Sequence, residues 1–285
     1  MSITCSNNKR VLSQILTPAN FSKIIRSGDT TPIDNKIKRY LSEYNGGNYQ
    51  SLISHIYSII EKEYRSEYVY KNKLLSKLFI RQYVPGKIIA LNEFNIANSV
   101  ADFLLLNGSA HLYEIKTEYD SFDKLDKQIA DYKKFADTIN IVASPKNSNK
   151  LLDKYSGTSI GVIELNKRSL KTVKEGIVDT SHLDHEAIFK TLHKKEYLSI
   201  VKYFYDYVPK APNTLIFKES LSLIKKIDIN IFQKTAIEIL KQRKLNCPDI
   251  LKSDAVPEEL KYICFALNLS QKEYQALFSF LNNKI

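Results

Sequence analysis

The 285-residue chain has no tryptophan, one methionine, three cysteines and only eight glycines and eight prolines. Cys5, Cys247 and Cys264 lie far apart, with no Cys-x-x-Cys pair and no histidine at ligand spacing. This excludes a disulfide framework and a zinc finger and favours a reducing compartment. No apolar run approaches the roughly 20 residues that span a bilayer, and the first residues have no secretory pattern. We therefore expect a cytoplasmic protein without a membrane partner.

Missing motifs exclude further classes of enzyme. No G-x-x-x-x-G-K-[ST] stretch occurs, so the chain has no P-loop for ATP. No G-x-S-x-G stretch occurs either, which argues against a hydrolase with a serine nucleophile on a strand-to-helix turn. The run His-Leu-Asp-His at residues 182–185 lacks the i, i+4 histidine spacing of a zinc protease.

Positive charge is in clear excess. The chain has 42 Lys and Arg against 31 Asp and Glu, which gives a formal net charge of +11. Such an excess favours polyanionic partners such as nucleic acid. The lysines are scattered along the whole chain, so basic solvated helix faces would account for the charge equally well.

The pattern of apolar residues divides the chain into three parts. Residues 1–35 are a polar N-terminal segment, for which we expect a short helix and irregular chain. Residues 36–175 have the order helix, three strands, helix, two strands, which predicts an α/β core. Residues 176–285 have helical spacing almost throughout, which predicts a helical C-terminal domain. The predicted elements of the core are helices over 35–83 and 121–136 and strands over 88–94, 100–106, 111–117, 139–144 and 160–166.

Three charged residues interrupt the apolar hairpin VADFLLLNGSAHLYEIK: Asp102, Glu114 and Lys116. A three-residue loop centred on Gly108 would set Asp102 directly opposite Glu114, with Cβ atoms about 5 Å apart on one face. A two-residue Asn-Gly turn would instead set Asp102 opposite Tyr113.

Two like charges at that distance call for a cation between them. Mg²⁺ suits such a pair, because it binds a few carboxylates and keeps waters and phosphate oxygens. The carbonyl of Ile115 could add a ligand, and Lys116 points to the same face, where its charge would stabilise phosphoryl chemistry. The other interpretation is a solvated polar stripe on a half-exposed hairpin.

The helix predicted after the hairpin favours the metal site. Leu125, Gln128, Ile129 and Tyr132 share one face of it. The order hairpin, helix, strand would bring Gln128 and Tyr132 beside the charged trio. Without a site there, Tyr132 would be a core aromatic and Gln128 a boundary residue.

At these residues the chain resembles the PD-(D/E)xK, or restriction-endonuclease-like, nuclease superfamily. Asp102 matches the motif aspartate, Glu-Ile-Lys at 114–116 matches (D/E)xK, and Gln128 with Tyr132 matches a RecB-type Q-x-x-x-Y extension. From about residue 60 to at least 245 the chain is similar to a bacterial and phage family of uncharacterised proteins assigned to that superfamily. Ala101 stands where the motif has proline.

The resemblance implies a mixed β-sheet core flanked by helices, in which Asp102 and Glu114 bind Mg²⁺ or Mn²⁺ and Lys116 assists catalysis. It also implies a glutamate on the preceding helix, for which we choose Glu67 with Glu63 in reserve. Gln128 and Tyr132 would orient the site or contact the substrate backbone.

The sequence thus predicts a metal-dependent nuclease that hydrolyses phosphodiester bonds of nucleic acid, with DNA favoured over RNA. The alternative is a catalytically inactive nucleic-acid-binding or regulatory protein on a nuclease scaffold, for example in a phage-defence or toxin system. The helical C-terminal half could supply a homodimer contact or bind a protein partner.

Overall fold

A computed structural model describes residues 6–41, 44, 46–166, 169–210 and 212–285. The chain folds as two compact units. Unit 1 contains the described residues of Met1–Arg81, Lys167–Ser169 and Leu245–Ile285, and unit 2 contains those of Gln82–Asn166 and Leu170–Lys244. The boundaries predicted after residues 35 and 175 do not coincide with this division.

Helices make up most of unit 1 and a large part of unit 2. Before the sheet they are α1 (Ser6–Ser13), α2 (Pro18–Ser27), α3 (Thr31–Tyr40), α4 (Tyr49–Glu63), α5 (Glu67–Leu74), a π-helical turn (Leu75–Phe79) and α6 (Ile80–Gln82). Within the sheet region they are α7 (Leu125–Tyr132) and α8 (Pro145–Tyr155). After it they are α9 (His185–Lys190), α10 (Lys194–Tyr205), α11 (Asn213–Ile224), α12 (Ile229–Leu240), α13 (Pro248–Lys252), a 3₁₀ turn (Glu258–Leu260), α14 (Lys261–Leu267) and α15 (Gln271–Asn282).

Unit 2 contains one mixed sheet in the order β1-β2-β3-β4-β5-β6. Its strands are β1 (Ile89–Ile96), β2 (Ser99–Leu106), β3 (Ala110–Lys116), β4 (Thr138–Ala143), β5 (Gly161–Leu165) and β6 (Leu170–Lys174). Strands β1 to β3 form an antiparallel meander, β3, β4 and β5 run parallel, and β6 returns antiparallel to β5. All six residues of β4 are buried, as expected for a central strand covered on both faces. The predicted mixed α/β fold with a helical C-terminal half is confirmed.

Unit 1 brings the two ends of the chain into one core. The ring of Phe280 in α15 lies 4.4 Å from the ring of Tyr49 in α4 and 6.3 Å from that of Phe21 in α2, measured between centroids. Asn72 in α5 accepts a hydrogen bond from the backbone N–H of Tyr262 in α14 at 2.8 Å. Such pairings join residues about 190 to 260 positions apart, so no local pattern predicts them.

The prediction of a short helix and irregular chain over residues 1–35 is wrong, because α1, α2 and the start of α3 lie there. Thr17 caps α2 by accepting a hydrogen bond from the N–H of Asn20, and Pro18 begins the helix. Phe21, Ile24 and Ile25 are buried on one face of α2.

Helix α8 and strand β6 were not predicted from the sequence. Helix α8 begins with a Ser144 cap and Pro145, but polar residues fill its first half and some of them are buried. Strand β6 lies at the edge of the sheet and has half-buried or exposed residues throughout, so its apolar alternation is weak. Both elements therefore lack the regular spacing of apolar residues from which helices and strands are predicted.

The helices after the sheet in unit 2 are attached to it through buried polar contacts. Asp137 accepts a hydrogen bond from the N–H of Ala110, at the start of β3, at 2.6 Å. Gln233 of α12 donates to the other oxygen of Asp137 at 3.0 Å. Helix α12 is thereby fixed beside the hairpin of β2 and β3. Within the described part of the chain, no helix combines the length and the apolar character that a membrane crossing requires.

Gly161, at the start of β5, gives a test of this packing. A Cβ atom there would collide with the side-chain oxygen of Asn140 and lie 2.7 Å from the backbone nitrogen of Gly176. We expect Gly161→Ala to lower the free energy of unfolding by about 1–3 kcal/mol, because the backbone at Gly176 must move. Urea denaturation measures the loss. Gly157→Ala is the matched control, since a Cβ at Gly157 meets nothing within 4 Å; equal stability of the two variants would contradict the packing.

Candidate active site

The hairpin of β2 and β3 has the three-residue loop on which the predicted site depends. Leu106 pairs with Ala110, and the register continues to Phe103 opposite Tyr113. Gly108 in the loop has φ 107°, a left-handed conformation that glycine adopts without steric cost. Continued by one more residue beyond this last pair, the same register would place Asp102 opposite Glu114.

Glu114 is buried, with 3% of its surface exposed, and both of its carboxylate oxygens accept hydrogen bonds. Lys116 Nζ and Gln128 Nε2 each lie 2.8 Å from Oε1. The Tyr132 hydroxyl lies 2.8 Å from Oε2. Burying a carboxylate costs several kcal/mol unless it is paired, and here an ammonium, an amide and a phenol compensate it.

Lys116, Gln128 and Glu114 form a closed ring of contacts. Besides its ion pair with Glu114, Lys116 Nζ donates to Gln128 Oε1 at 3.0 Å. The amide of Gln128 therefore presents its oxygen to the lysine and its nitrogen to the carboxylate, the orientation in which all three groups are satisfied. Each side chain limits the freedom of the other two.

Tyr132 connects the cluster of Glu114, Lys116 and Gln128 to strand β2. Its hydroxyl oxygen lies 2.8 Å from the carbonyl of Val100 as well as 2.8 Å from Glu114 Oε2. The pKa of the phenol is raised well above its usual range, first by burial, then by the negative charge of Glu114 and the hydrogen bond to it, and also by the charge of Asp102. The hydroxyl therefore stays protonated at neutral pH and can donate to Glu114.

Asp102 is half-buried and faces the backbone of β3. Its Oδ2 accepts a hydrogen bond from the N–H of Ile115 at 2.8 Å. Since the N–H and C=O of one strand residue face the same neighbour, the carbonyl of Ile115 also lies on the side of Asp102. The Asp102 carboxylate and the Ile115 carbonyl thus lie on the same side of β3, and Glu114 precedes Ile115 in that strand.

These oxygens fit a magnesium or manganese ion better than a softer metal. Among the described residues, no group of three or more His, Cys, Asp or Glu side chains converges on one point. Mg²⁺ needs only one or two carboxylates, since it keeps several waters and binds substrate phosphate oxygens. Asp102, Glu114 and the Ile115 carbonyl are a donor set of that kind.

Two further residues contribute to the geometry of the site, and sequence reasoning did not assign them to it. Asp131, which is 4% exposed, accepts hydrogen bonds from Ser99 Oγ and Lys134 Nζ, both at 2.8 Å, and so holds α7 against the start of β2. The sequence signal that could have identified Asp131 was its position next to Tyr132, in a predicted helix whose inward face includes polar residues. Glu93 lies opposite Asp102 in the register of β1 and β2 and has φ 49°, a left-handed backbone that is strained for a residue with a side chain.

The glutamates chosen from the resemblance lie in unit 1. Glu67 is in the first turn of α5 and forms an ion pair with Lys71 at 2.7 Å. Glu63, the reserve, ends α4 and forms an ion pair with Lys9 at 2.5 Å. Asp102, Glu114, Ile115, Lys116, Gln128 and Tyr132 all belong to unit 2.

Comparisons with known proteins identify relatives among phage proteins. The family model described as bacteriophage P4 protein cII matches residues 60–261. Protein cII of Enterobacteria phage P4 is 30% identical over 118 residues, which cover 39% of this chain and 40% of the relative. The match therefore spans about two fifths of that relative's length. A solved structure, the SPO1766 protein of unknown function from Silicibacter pomeroyi, has a TM-score of 0.29 and 14% identity over 44% of this chain and 94% of its own, which supports no argument about fold or function.

Replacing Tyr132 tests the contribution of the buried cluster to stability. Tyr132→Phe removes the phenolic donor from a carboxylate that is buried, so we expect a loss of about 1.5–3 kcal/mol in the free energy of unfolding. Tyr155→Phe is the matched control, because its hydroxyl donates at 2.7 Å to Asp126, whose side chain is 66% exposed. Water can replace that donor, so about 0.5–1 kcal/mol is expected. Equal losses in urea denaturation would refute the role assigned to burial.

Proposed function

The chain belongs to the bacteriophage P4 protein cII family, and we propose that it is a metal-dependent nuclease of the restriction-endonuclease-like type. The observation that carries this proposal is the arrangement around Glu114. A lysine, a glutamine and a tyrosine hold one buried carboxylate, and the carboxylate of Asp102, on the neighbouring strand, accepts a hydrogen bond from the N–H of Ile115. A solvated polar stripe would not bury these groups or bind them to one another.

The site residues have different roles in the proposed hydrolysis of phosphodiester bonds. Asp102, Glu114 and the carbonyl of Ile115 would hold the metal, which when bound activates water and neutralises the leaving oxygen. Lys116 brings an ammonium group to the same end of the hairpin, where it stabilises the negative charge of the pentavalent phosphate. Its contacts with Glu114 and Gln128 keep it in place before substrate arrives.

Gln128 and Tyr132 position the reacting groups. Gln128 fixes the lysine and Glu114 relative to each other, and Tyr132 fixes Glu114 relative to β2. The strained backbone of Glu93 opposite Asp102 supports a functional site, because such strain concentrates where function requires it.

The substrate we propose is nucleic acid, with DNA favoured over RNA. The net charge of +11 supports a polyanionic partner. The chain has few cysteines, and they lie far apart in the sequence, which supports a cytoplasmic location.

One observation favours a second candidate, an inactive nucleic-acid-binding or regulatory protein on the same scaffold. Both oxygens of Glu114 already accept hydrogen bonds from protein groups, so the cluster is satisfied without a metal. Metal binding and cleavage discriminate between the two candidates.

The test of activity uses duplex DNA, single-stranded DNA and RNA with Mg²⁺, Mn²⁺ or EDTA. We expect cleavage of at least one substrate with a metal and none with EDTA. Lys116→Met should lower the rate by about 10²–10³, because it removes a charge that stabilises the transition state. Asp126→Asn, which alters an acid of α7 whose carboxylate points to α8, should cleave at the wild-type rate. Cleavage that is unaffected by Lys116→Met would refute the site.

Metal binding can be measured without any substrate. A ligand that binds the folded state raises the unfolding temperature in proportion to the logarithm of its concentration. We expect Mn²⁺ to raise the Tm of the wild-type chain by this rule and to leave that of Asp102→Asn nearly unchanged. Asp126→Asn should respond to Mn²⁺ like the wild type. If none of the three proteins responds, the second candidate is favoured.

A further inference from the structure

A groove in unit 2 lies apart from the charged cluster, at the other end of the β2–β3 hairpin. It has a volume of about 560 Å³ and lies between α10, α12 and the hairpin loop. Ile200 and Ile239 form its floor, and its rim includes Ser199, Tyr203, Thr235 and the loop residue Gly108. The volume lies within the range of small-ligand sites, ~300–1,000 Å³.

Tyr203 presents its ring at the edge of this groove. The residue is 77% exposed, more than any other large apolar or aromatic side chain among the described residues. Its ring contacts Phe204 edge-to-face, with centroids 5.0 Å apart. An exposed aromatic ring beside an apolar floor is the arrangement on which an unpaired nucleobase stacks.

The charges around the groove favour an anionic ligand. Lys234 lines it, is exposed and forms no ion pair with any described residue. Glu238, the acid of the lining, is paired with Lys241 at 2.6 Å, which offsets its charge. Residues 185–244 contain 12 Lys and Arg against six Asp and Glu, so this segment carries a net +6 of the chain's +11.

We infer that this groove binds single-stranded nucleic acid, with one base stacked on Tyr203 and a phosphate at Lys234. The inference rests on the proposed function, in which the substrate is nucleic acid, and adds that the bound nucleic acid is single-stranded. Gly108 is six residues from both Asp102 and Glu114, which corresponds to about 20 Å of β-strand. At the stacked spacing of ~3.4 Å per nucleotide, a strand of about six nucleotides would reach from the groove to the cluster.

The test measures binding of a fluorescein-labelled dT12 oligonucleotide by anisotropy in EDTA, where hydrolysis cannot occur. Tyr203→Ala should raise the Kd roughly 5- to 150-fold, the range that corresponds to loss of one base–aromatic stack. Tyr203→Phe keeps the ring and should bind like the wild type. Tyr207→Ala is the matched control, because Tyr207 is 50% exposed but does not line the groove.

Salt dependence tests the phosphate contact separately. Lys234→Gln should reduce the slope of log K against log salt concentration by about 0.7, the value for one phosphate contact on a single strand. Lys226→Gln removes the same charge from an exposed lysine outside the groove and should leave the slope unchanged.

The proposals for the groove and for the nuclease site can be refuted independently of each other. If Tyr203→Ala binds dT12 within twofold of the wild type, the groove assignment is overturned, even if Lys116-dependent cleavage is observed. If binding depends on Tyr203 but no substrate is cleaved with any metal, the binding role of the groove is supported and the nuclease proposal is refuted.

Discussion

The burial of the Glu114 carboxylate is the constraint on which the geometry of the site depends. A carboxylate with 3% exposure must be compensated by donors that are themselves held in place. Lys116 comes from the same strand, whereas Gln128 and Tyr132 come from α7, so the helix must lie over this end of β3. The same requirement fixes the start of β2, because the Tyr132 hydroxyl also contacts the carbonyl of Val100.

Local patterns were sufficient to predict this part of the molecule. Strand alternation and the Asn-Gly-Ser loop determine which face each residue of the hairpin occupies, since the side-chain period of a strand is two. The spacing of Gln128 and Tyr132 places both on one face of a helix. The five strands β1 to β5 and helix α7 were therefore predicted near their observed positions, although α7 spans Leu125–Tyr132 rather than the predicted residues 121–136.

Other features depend on contacts that no local pattern encodes. Unit 1 joins residues from both ends of the chain, as the rings of Phe21 and Phe280 show, and periodicity carries no information about such pairs. The left-handed backbone at Glu93 depends on the surrounding strands, because nothing in its residue type favours that conformation. The buried carboxylate of Asp131 is compensated by hydrogen bonds that include those from Ser99 and Lys134.

The site and the groove separate two electrostatic tasks within unit 2. The ammonium of Lys116 is paired with the Glu114 carboxylate at 2.8 Å, so the two opposite charges largely cancel in the field outside the protein. The positive excess of residues 185–244 is spread over helices and would therefore act at longer range on the nucleic acid that we propose as substrate. Attraction of that proposed substrate could thus change with the surface lysines while the buried cluster stays the same. Since removing either partner of a buried ion pair destabilises the protein, we expect substitutions to be tolerated far better at Lys234 of the groove than at Lys116 or Glu114.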